Sequence, residues 1–418
     1  MAEETHWEGV ENTIEDPEEE RVIFKALDSF LQYAKITHFN CTHQRRQAFY
    51  ALPEAHWRRL AAPPFNYLET LDKVDEAIDS NADLGKAIVK AGLPAFLRVQ
   101  QTTPGQEHVL PPQWAGQAKY QDVEKARSTI RQFYRDWSAE GARERDACYS
   151  PVIKTLLDER SRRQAPDQQQ QQQLPPRLKV LVPGAGLGRL VFELCRNGFE
   201  AEGNEISYHQ LLASSYILNF CPAVGHHSIY PWVHTFSNHR SRANHLRGYP
   251  VPDIHCAAEL TRAEQDNGFI GSMGMVAADF LCLYSDKDHA ETYDAVASVF
   301  FLDTAPNLIR YLETIHHCLK PGGLLINNGP LLWHFENNAP GSRDADGDTD
   351  TTGIADPGSF ELTDDEVMAL VEQVGFVIER RETDCHAPYI HDTESMLSTT
   401  YRSSFWVARK PETCLKET

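Results

Sequence analysis

The segment Lys179–Leu190, KVLVPGAGLGRL, constrains this chain more than any other stretch. A short apolar run ends at a turn holding Gly184, Gly186 and Gly188, and a helical pattern begins directly after it. Glycine takes positive φ without strain and lets a ligand lie against the main chain. The start of the helix adds N–H donors without helical partners. This order of strand, glycine turn and helix suits a nucleotide-like ligand at the carboxyl ends of parallel strands.

Strands and helices alternate from there. Leu178–Val182 reads as a strand and Arg189–Asn197 as a helix. Phe199–Asn204 and Tyr208–Phe220 repeat the pair. Met275–Ala278 reads as a third strand, and Tyr293–Phe301 as a fourth, followed by the helix Asn307–Leu319. Lys320-Pro321-Gly322-Gly323 stops that helix and turns into the strand Leu324–Asn327. Phe376–Glu382 and Ser404–Arg409 pair as late strands. The expected fold class is α/β, a doubly wound, mostly parallel seven-stranded sheet of Rossmann-like type. A helical N-terminal region precedes it. Val22, Phe24, Leu27, Phe30, Leu31 and Ala34 recur at helix spacing. A second helix is expected near Phe65–Val89, interrupted by Asn81 and Gly85, and a third over Asp122–Ala139.

The glycine spacing narrows the ligand. A dinucleotide fingerprint reads Gly-x-Gly-x-x-Gly. Here the third glycine comes one place early, and Arg189 stands where the fingerprint has glycine. S-adenosylmethionine carries no pyrophosphate, so the turn need only pass its methionine and ribose closely. Glu205, at the end of the second strand, can accept hydrogen bonds from both ribose hydroxyls. Asp279 and Phe280, after the third strand, can hold the adenine amine and cover its ring.

Composition limits the alternatives. The net charge is −20, from 40 basic and 60 acidic residues, which argues against a nucleic-acid partner. No apolar run reaches the roughly eighteen residues of a membrane span, and the acidic N-terminus carries no secretory pattern. The nine cysteines are scattered, without a Cys-x-x-Cys pair, which fits a reducing compartment. A cytoplasmic protein is expected, with nuclear entry left open. His226, His227, His234, His239, His245, His255 and Cys256 show no compact ligand spacing, so no metal is expected. Cys282 reads as buried packing.

Several of these segments together are similar to one family, the carnosine N-methyltransferases. They are PGAGLGRL, Gly203-Asn204-Glu205, FFLDTAPN, KPGG, INNGPLLWHFEN and, upstream, IRQFYRDWSAEGARERDACYSPV (Ile130–Val152). The resemblance covers roughly residues 20–410. It implies an enzyme that moves a methyl group from S-adenosylmethionine to an imidazole nitrogen of carnosine, giving anserine. It implies cofactor contacts from Gln132, Arg135, Gly184, Gly186, Glu205, Asp279 and Phe280, and from the main chain of Ala295. It implies substrate contacts from Asp303, His334 and Tyr401, with Asp303 catalytic. Thr399-Thr400-Tyr401 keeps one tyrosine where the family tends to have several.

The residue types suit that chemistry. A neutral imidazole offers one lone-pair nitrogen at pH 7, so no strong base is needed. A carboxylate at Asp303 can accept the other ring N–H, fix the tautomer and stabilise the growing positive charge. Arg135, three residues from Gln132 on one helical face, can clamp the methionine carboxylate. Plainer readings stand beside these: Asp303 as a helix cap, His334 as a loop histidine, Tyr401 as packing, and Arg135 as a surface charge beside Asp136. A peptide or protein histidine methyltransferase and a non-catalytic cofactor-binding module are the alternative functions. The oligomeric state is open, with a homodimer among the options.

The expected organisation is an acidic disordered tail over 1–20, a helical region over 21–163, a Gln/Pro-rich linker over 164–176 and a methyltransferase domain over 177–410. Insertions are expected near 222–272 and 336–359, the second one disordered.

Overall fold

A computed structural model describes residues 17–97, 110–164, 177–337 and 358–412. Residues 1–16 of the acidic tail, nearly all of the Gln/Pro-rich stretch and the ADGDTDTTG segment lie outside the described residues, whereas the last four tail residues, 17–20, already belong to the first helix. In chain order the helices before the sheet are α1 (Pro17–His38), α2 (Gln44–Tyr50), α3 (Glu54–Ala61), α4 (Tyr67–Leu97), α5 (Tyr120–Trp137) and α6 (Ala142–Gln164). Then come β1 (Lys179–Pro183), α7 (Arg189–Arg196), β2 (Glu200–Glu205), α8 (Tyr208–Ser215), β3 (His227–Ile229), α9 (Arg242–His245) and β4 (Tyr249–Val251). The remainder is α10 (Cys256–Asn267), β5 (Ser272–Ala277), α11 (Phe280–Tyr284), β6 (Tyr293–Val299), α12 (Leu308–Cys318), β7 (Leu319–Gly329), α13 (Asp364–Gln373), β8 (Val377–Pro388) and β9 (Thr400–Arg409). The chain forms two compact units.

The first unit holds residues 1–142, 208–257 and 390–399. The histidine-rich segment, expected as an insertion in the sheet domain, therefore folds mostly with the N-terminal helices. Its short β3–β4 hairpin packs near α4 and α5. Helix α4 runs without a break through Asn81 and Gly85, where an interruption was expected. Asn81 is fully buried and loses nothing in the helix interior, because its amide finds partners in other elements. Its Nδ2 donates to Tyr33 Oη and the Tyr230 carbonyl, each at 3.1 Å, and its Oδ1 accepts the Tyr230 N–H at 2.7 Å. A Cβ at Gly85 would come 3.3 Å from the Phe30 carbonyl, so glycine allows α1 and α4 to approach closely. His234 and His245 are engaged in packing. His234 bonds Tyr33 Oη at 2.7 Å, and Arg242 donates to His245 at 2.7 Å. Burial pushes both imidazoles down to about 3.

The second unit holds residues 143–207, 258–389 and 400–418. Its seven strands follow the order β5-β2-β1-β6-β7-β9-β8. The first five are parallel, and β9 enters antiparallel between β7 and β8. Leu181, Val296, Leu325 and Trp406 alternate onto one face and meet Leu308, Leu312 and Ile315 of α12 and Val367 and Val371 of α13. Helices α6 and α7 serve the other face. The sheet is thus wound on both sides, as the alternation of strand and helix predicts. The KPGG segment bulges out of the β6–β7 ladder, with Gly322 at φ +78°. Strand β7 consequently starts at Leu319, five residues before the expected strand.

Candidate active site at the carboxyl edge of the sheet

Strand β1 ends at Pro183, and Gly184, Gly186 and Gly188 all take positive φ, at +64°, +56° and +73°. These values favour glycine over any residue with a Cβ. A Cβ on Gly184 would meet the Phe301 ring at 2.8 Å, so the turn leaves a bare main-chain cradle beside that ring. Glu205 closes the cradle from β2. Its carboxylate accepts the Gly186 N–H at 2.9 Å, the Ile206 N–H at 3.0 Å and the Ser207 N–H at 2.9 Å. Burial raises its pKa, and the three N–H groups work in the opposite direction. A carboxylate offers about four acceptor positions, so about one remains beside the main-chain donors. A grip on both ribose hydroxyls would require one of these bonds to yield.

Asp279 is half-buried, and one of its oxygens caps α11 by accepting the Cys282 N–H at 2.9 Å. Phe280 does not offer its ring as a cover. The ring is buried, with Phe301 and Tyr311 centroids each 5.3 Å away. It forms the wall behind the site. Cys282 is exposed, not buried, because it lies on the outer side of this one short helix.

Ala295 lies elsewhere. It is 1% exposed in the middle of the sheet, where it faces Val180 on one side and Leu324 on the other. The carboxyl end of β6 is Val299, four residues or about 13 Å further along. The ladder occupies the main chain of Ala295, so it does not line this edge.

The other half of this edge is built from β6, β7, β8 and β9. After β6, Phe300 takes φ +53°, a left-handed conformation that is costly for an aromatic residue. The chain then enters a short 3₁₀ turn, Leu302–Thr304, that carries Asp303. Asn307, not Asp303, caps α12. Asp303 is 4% exposed, and its Oδ2 accepts the Leu332 N–H at 2.9 Å. The Asp303 carbonyl accepts the His334 N–H at 3.2 Å, which ties the segment after β7 to the 3₁₀ turn. Burial raises the pKa of the Asp303 carboxyl, while the Leu332 N–H and His334 pull it back down. Burial, Tyr389 and the Asp303 charge raise the Tyr401 phenol. The structure therefore brings Asp303, His334 and Tyr401 into one electrostatic neighbourhood.

Sequence reasoning did not single out Phe300 or Tyr389. Phe300 faces Tyr389 at 5.5 Å and Tyr401 at 5.8 Å, and the two tyrosines are 5.9 Å apart. Tyr389 thus supplies an aromatic partner that Thr399 and Thr400 do not. No periodic pattern marks it, since it lies just past the end of β8, where the strand gives way to irregular chain.

Gln132 and Arg135 lie on α5 in the first unit. Arg135 pairs with the buried Asp136 at 2.9 and 3.1 Å, and Gln132 accepts the Gln210 amide at 2.6 Å.

Glu205→Gln is expected to weaken S-adenosylhomocysteine binding about tenfold or more, read by calorimetry. The new NH₂ would face main-chain N–H donors, a mismatch worth about 1–3 kcal/mol.

Comparison with known proteins follows the same lines. A family model described as carnosine N-methyltransferase matches residues 112–412. The rat carnosine N-methyltransferase is 33% identical over 96% of this chain and 90% of its own length. The enzyme of that name from Schizosaccharomyces pombe is 32% identical over 96% of this chain and 99% of its own. Among solved structures, an S-adenosylmethionine-dependent methyltransferase from Methanosarcina mazei is 16% identical, with TM-score 0.33, covering 57% of this chain and 95% of that one. The chain belongs to the carnosine N-methyltransferase family.

Proposed function

We propose that this chain transfers a methyl group from S-adenosylmethionine to an imidazole nitrogen of carnosine, giving anserine. One observation carries the reading beyond family membership. A buried carboxylate, Asp303, sits with His334 and Tyr401 on the same sheet edge as the Gly184 cradle and Glu205. The residues present fit such a nucleoside, since a turn of three positive-φ glycines is flanked by the Glu205 carboxylate and a half-buried Asp279.

When bound, S-adenosylmethionine supplies an electrophilic methyl on a sulfonium. The chain's own groups then have three tasks. Asp303 accepts the N–H of one imidazole nitrogen, which turns the lone pair of the other toward the donor and favours positive charge on the ring. His334 and Tyr401 bond polar groups of the dipeptide. Phe300, Tyr389 and Tyr401 hold a flat ring by their faces and favour it more as it becomes cationic. Positioning of this kind supplies much of a displacement's acceleration.

The acceptor is a small imidazole dipeptide rather than a nucleic acid, in keeping with the charge of −20. No helix among the described residues is long and apolar enough to cross a membrane. The reading assigns the enzyme to the cytosol, with the nucleus as a second location, to be settled by fractionation.

The test is incubation of purified chain with S-adenosylmethionine carrying a ¹³C methyl and with carnosine. Expected is one labelled N-methyl resonance on the imidazole, competed weakly by a histidine-containing peptide. Transfer to the peptide alone would replace carnosine by the alternative acceptor. No transfer to either, with S-adenosylhomocysteine still raising the melting temperature, would leave a binding module.

A further inference from the structure

Asn328, the penultimate residue of β7, takes no part in the chemistry above, yet it joins two pieces of the second unit. Helix α6 contains Pro151. Proline has no N–H and crowds the carbonyl four residues back, here that of Ala147. The Ala147 carbonyl therefore lacks its helical donor. The Asn328 amide fills the place: Nδ2 donates to the Ala147 carbonyl at 3.4 Å and to the Cys148 carbonyl at 3.0 Å. Two acceptors on that side fix which end of the amide faces the helix.

Asn328 is 1% exposed, and its Oδ1 has no hydrogen-bond partner among the described residues. A buried acceptor left unmet costs stability. The contribution of this side chain therefore lies in its donor half.

The main chain of the same residue serves the acceptor wall. The Asn328 carbonyl accepts the Phe300 N–H at 3.1 Å. A Cβ on the next residue, Gly329, would come 3.2 Å from that nitrogen. Phe300 is thereby held in its left-handed conformation against Tyr389 and Tyr401. The far end of α6 is tied to the opposite sheet edge. Glu159 accepts from Arg162, Arg163 and Arg409, and Arg163 also reaches Asp294 at 2.6 Å. Residues 147 to 163 span about 24 Å of helix, enough to cross the sheet between these two anchors.

We propose that Asn328 is a positioning residue for methyl transfer, registering the turn of α6 that precedes Pro151 against the Phe300 wall of the acceptor site. Its kinetic consequence rests on the proposed function, whereas its mechanical consequence does not.

Asn328→Leu removes the donor and the unmet acceptor while keeping the branched four-atom side-chain skeleton. The two losses offset each other, so the melting temperature is expected to stay within about 4 °C of wild type. Turnover is expected to fall about tenfold with KM for S-adenosylmethionine little changed. Pro151→Ala returns an N–H to the Ala147 carbonyl. In that background Asn328→Leu is expected to cost less than about threefold, a coupling that a double-mutant cycle reads directly. Hydrogen exchange of the amides over 152–156 should speed up in Asn328→Leu and recover in the double variant. Turnover within about twofold of wild type, or equal losses in both backgrounds, overturns the proposal. If wild type fails to methylate carnosine, the proposed function falls. Exchange then decides, and unchanged protection in α6 overturns the joint. Should Asn328→Leu not fold, Asn328→Asp, which keeps the shape and swaps donor for acceptor, carries the same kinetic, coupling and exchange expectations with a lower melting temperature.

Discussion

Asp303→Asn is expected to remove about 10²–10³-fold of turnover while S-adenosylhomocysteine affinity stays within about threefold of wild type. The amide oxygen can still accept the Leu332 N–H, so the turn after β6 keeps its shape. What disappears is the negative charge opposite the imidazole as that ring turns cationic. In a site this buried, such a charge is poorly screened. Folding and catalysis should part company in this variant. Burial raises the folded-state pKa of Asp303, so the linked stability is fully present below the ordinary carboxylate value near about 4 and is lost as pH rises through the raised value. Asparagine has no such titration. Between about pH 4 and pH 7 the melting temperature of the variant should therefore fall less, or rise more, than that of wild type. Single-turnover rates and thermal melts on the same samples check both halves. Wild-type turnover in Asp303→Asn would remove the carboxylate from the chemistry.

Gly184→Ala should be the most damaging change on the cofactor side, weakening S-adenosylhomocysteine about 100-fold. A left-handed alanine costs about 1–2 kcal/mol. The added Cβ would also sit 2.8 Å from the Phe301 ring, which has nowhere simple to go. That ring stacks on Tyr311 at 5.1 Å and meets Phe280 edge-on at 5.3 Å. Phe301 lies next to Phe300 and two residues before Asp303, so the push reaches the acceptor side too. Turnover at saturating cofactor should consequently drop as well, by about tenfold. Gly184→Ala in a Phe301→Leu background is the matched control, since the smaller side chain relieves the contact with the added carbon. Equal loss of affinity on Gly184→Ala with and without Phe301→Leu would mean that backbone strain, and not the Phe301 contact, governs the turn.

The elements that the sequence made legible share one property: their signal is local. The glycine turn and Glu205 at the end of β2 follow from short-range chemistry that one segment carries by itself. The misread features depend on partners remote in sequence. Asn81 looks like a helix breaker until Tyr33 and Tyr230 take up its amide. Phe280 looks like a cover for a ligand until Phe301 and Tyr311 bury it. Ala295 was placed by resemblance, and a four-residue offset along a strand moves a side chain from the sheet edge to its interior. Tyr389 had no pattern to announce it, because its role comes from the left-handed Phe300 opposite, a conformation that sequence does not encode visibly.

The reversed strand β9 has an effect on how such an enzyme can change. Running against β7, it delivers its first residues, Tyr401 among them, to the edge where parallel neighbours deliver their last. In the proposed function, one half of that edge, on β1 and β2, serves the methyl donor, and the other, on β6 through β9, serves what is methylated. Substitutions near the start of β9 can therefore retune acceptor choice while the donor half stays intact. The Gly184–Phe301 contact is the seam where that independence ends.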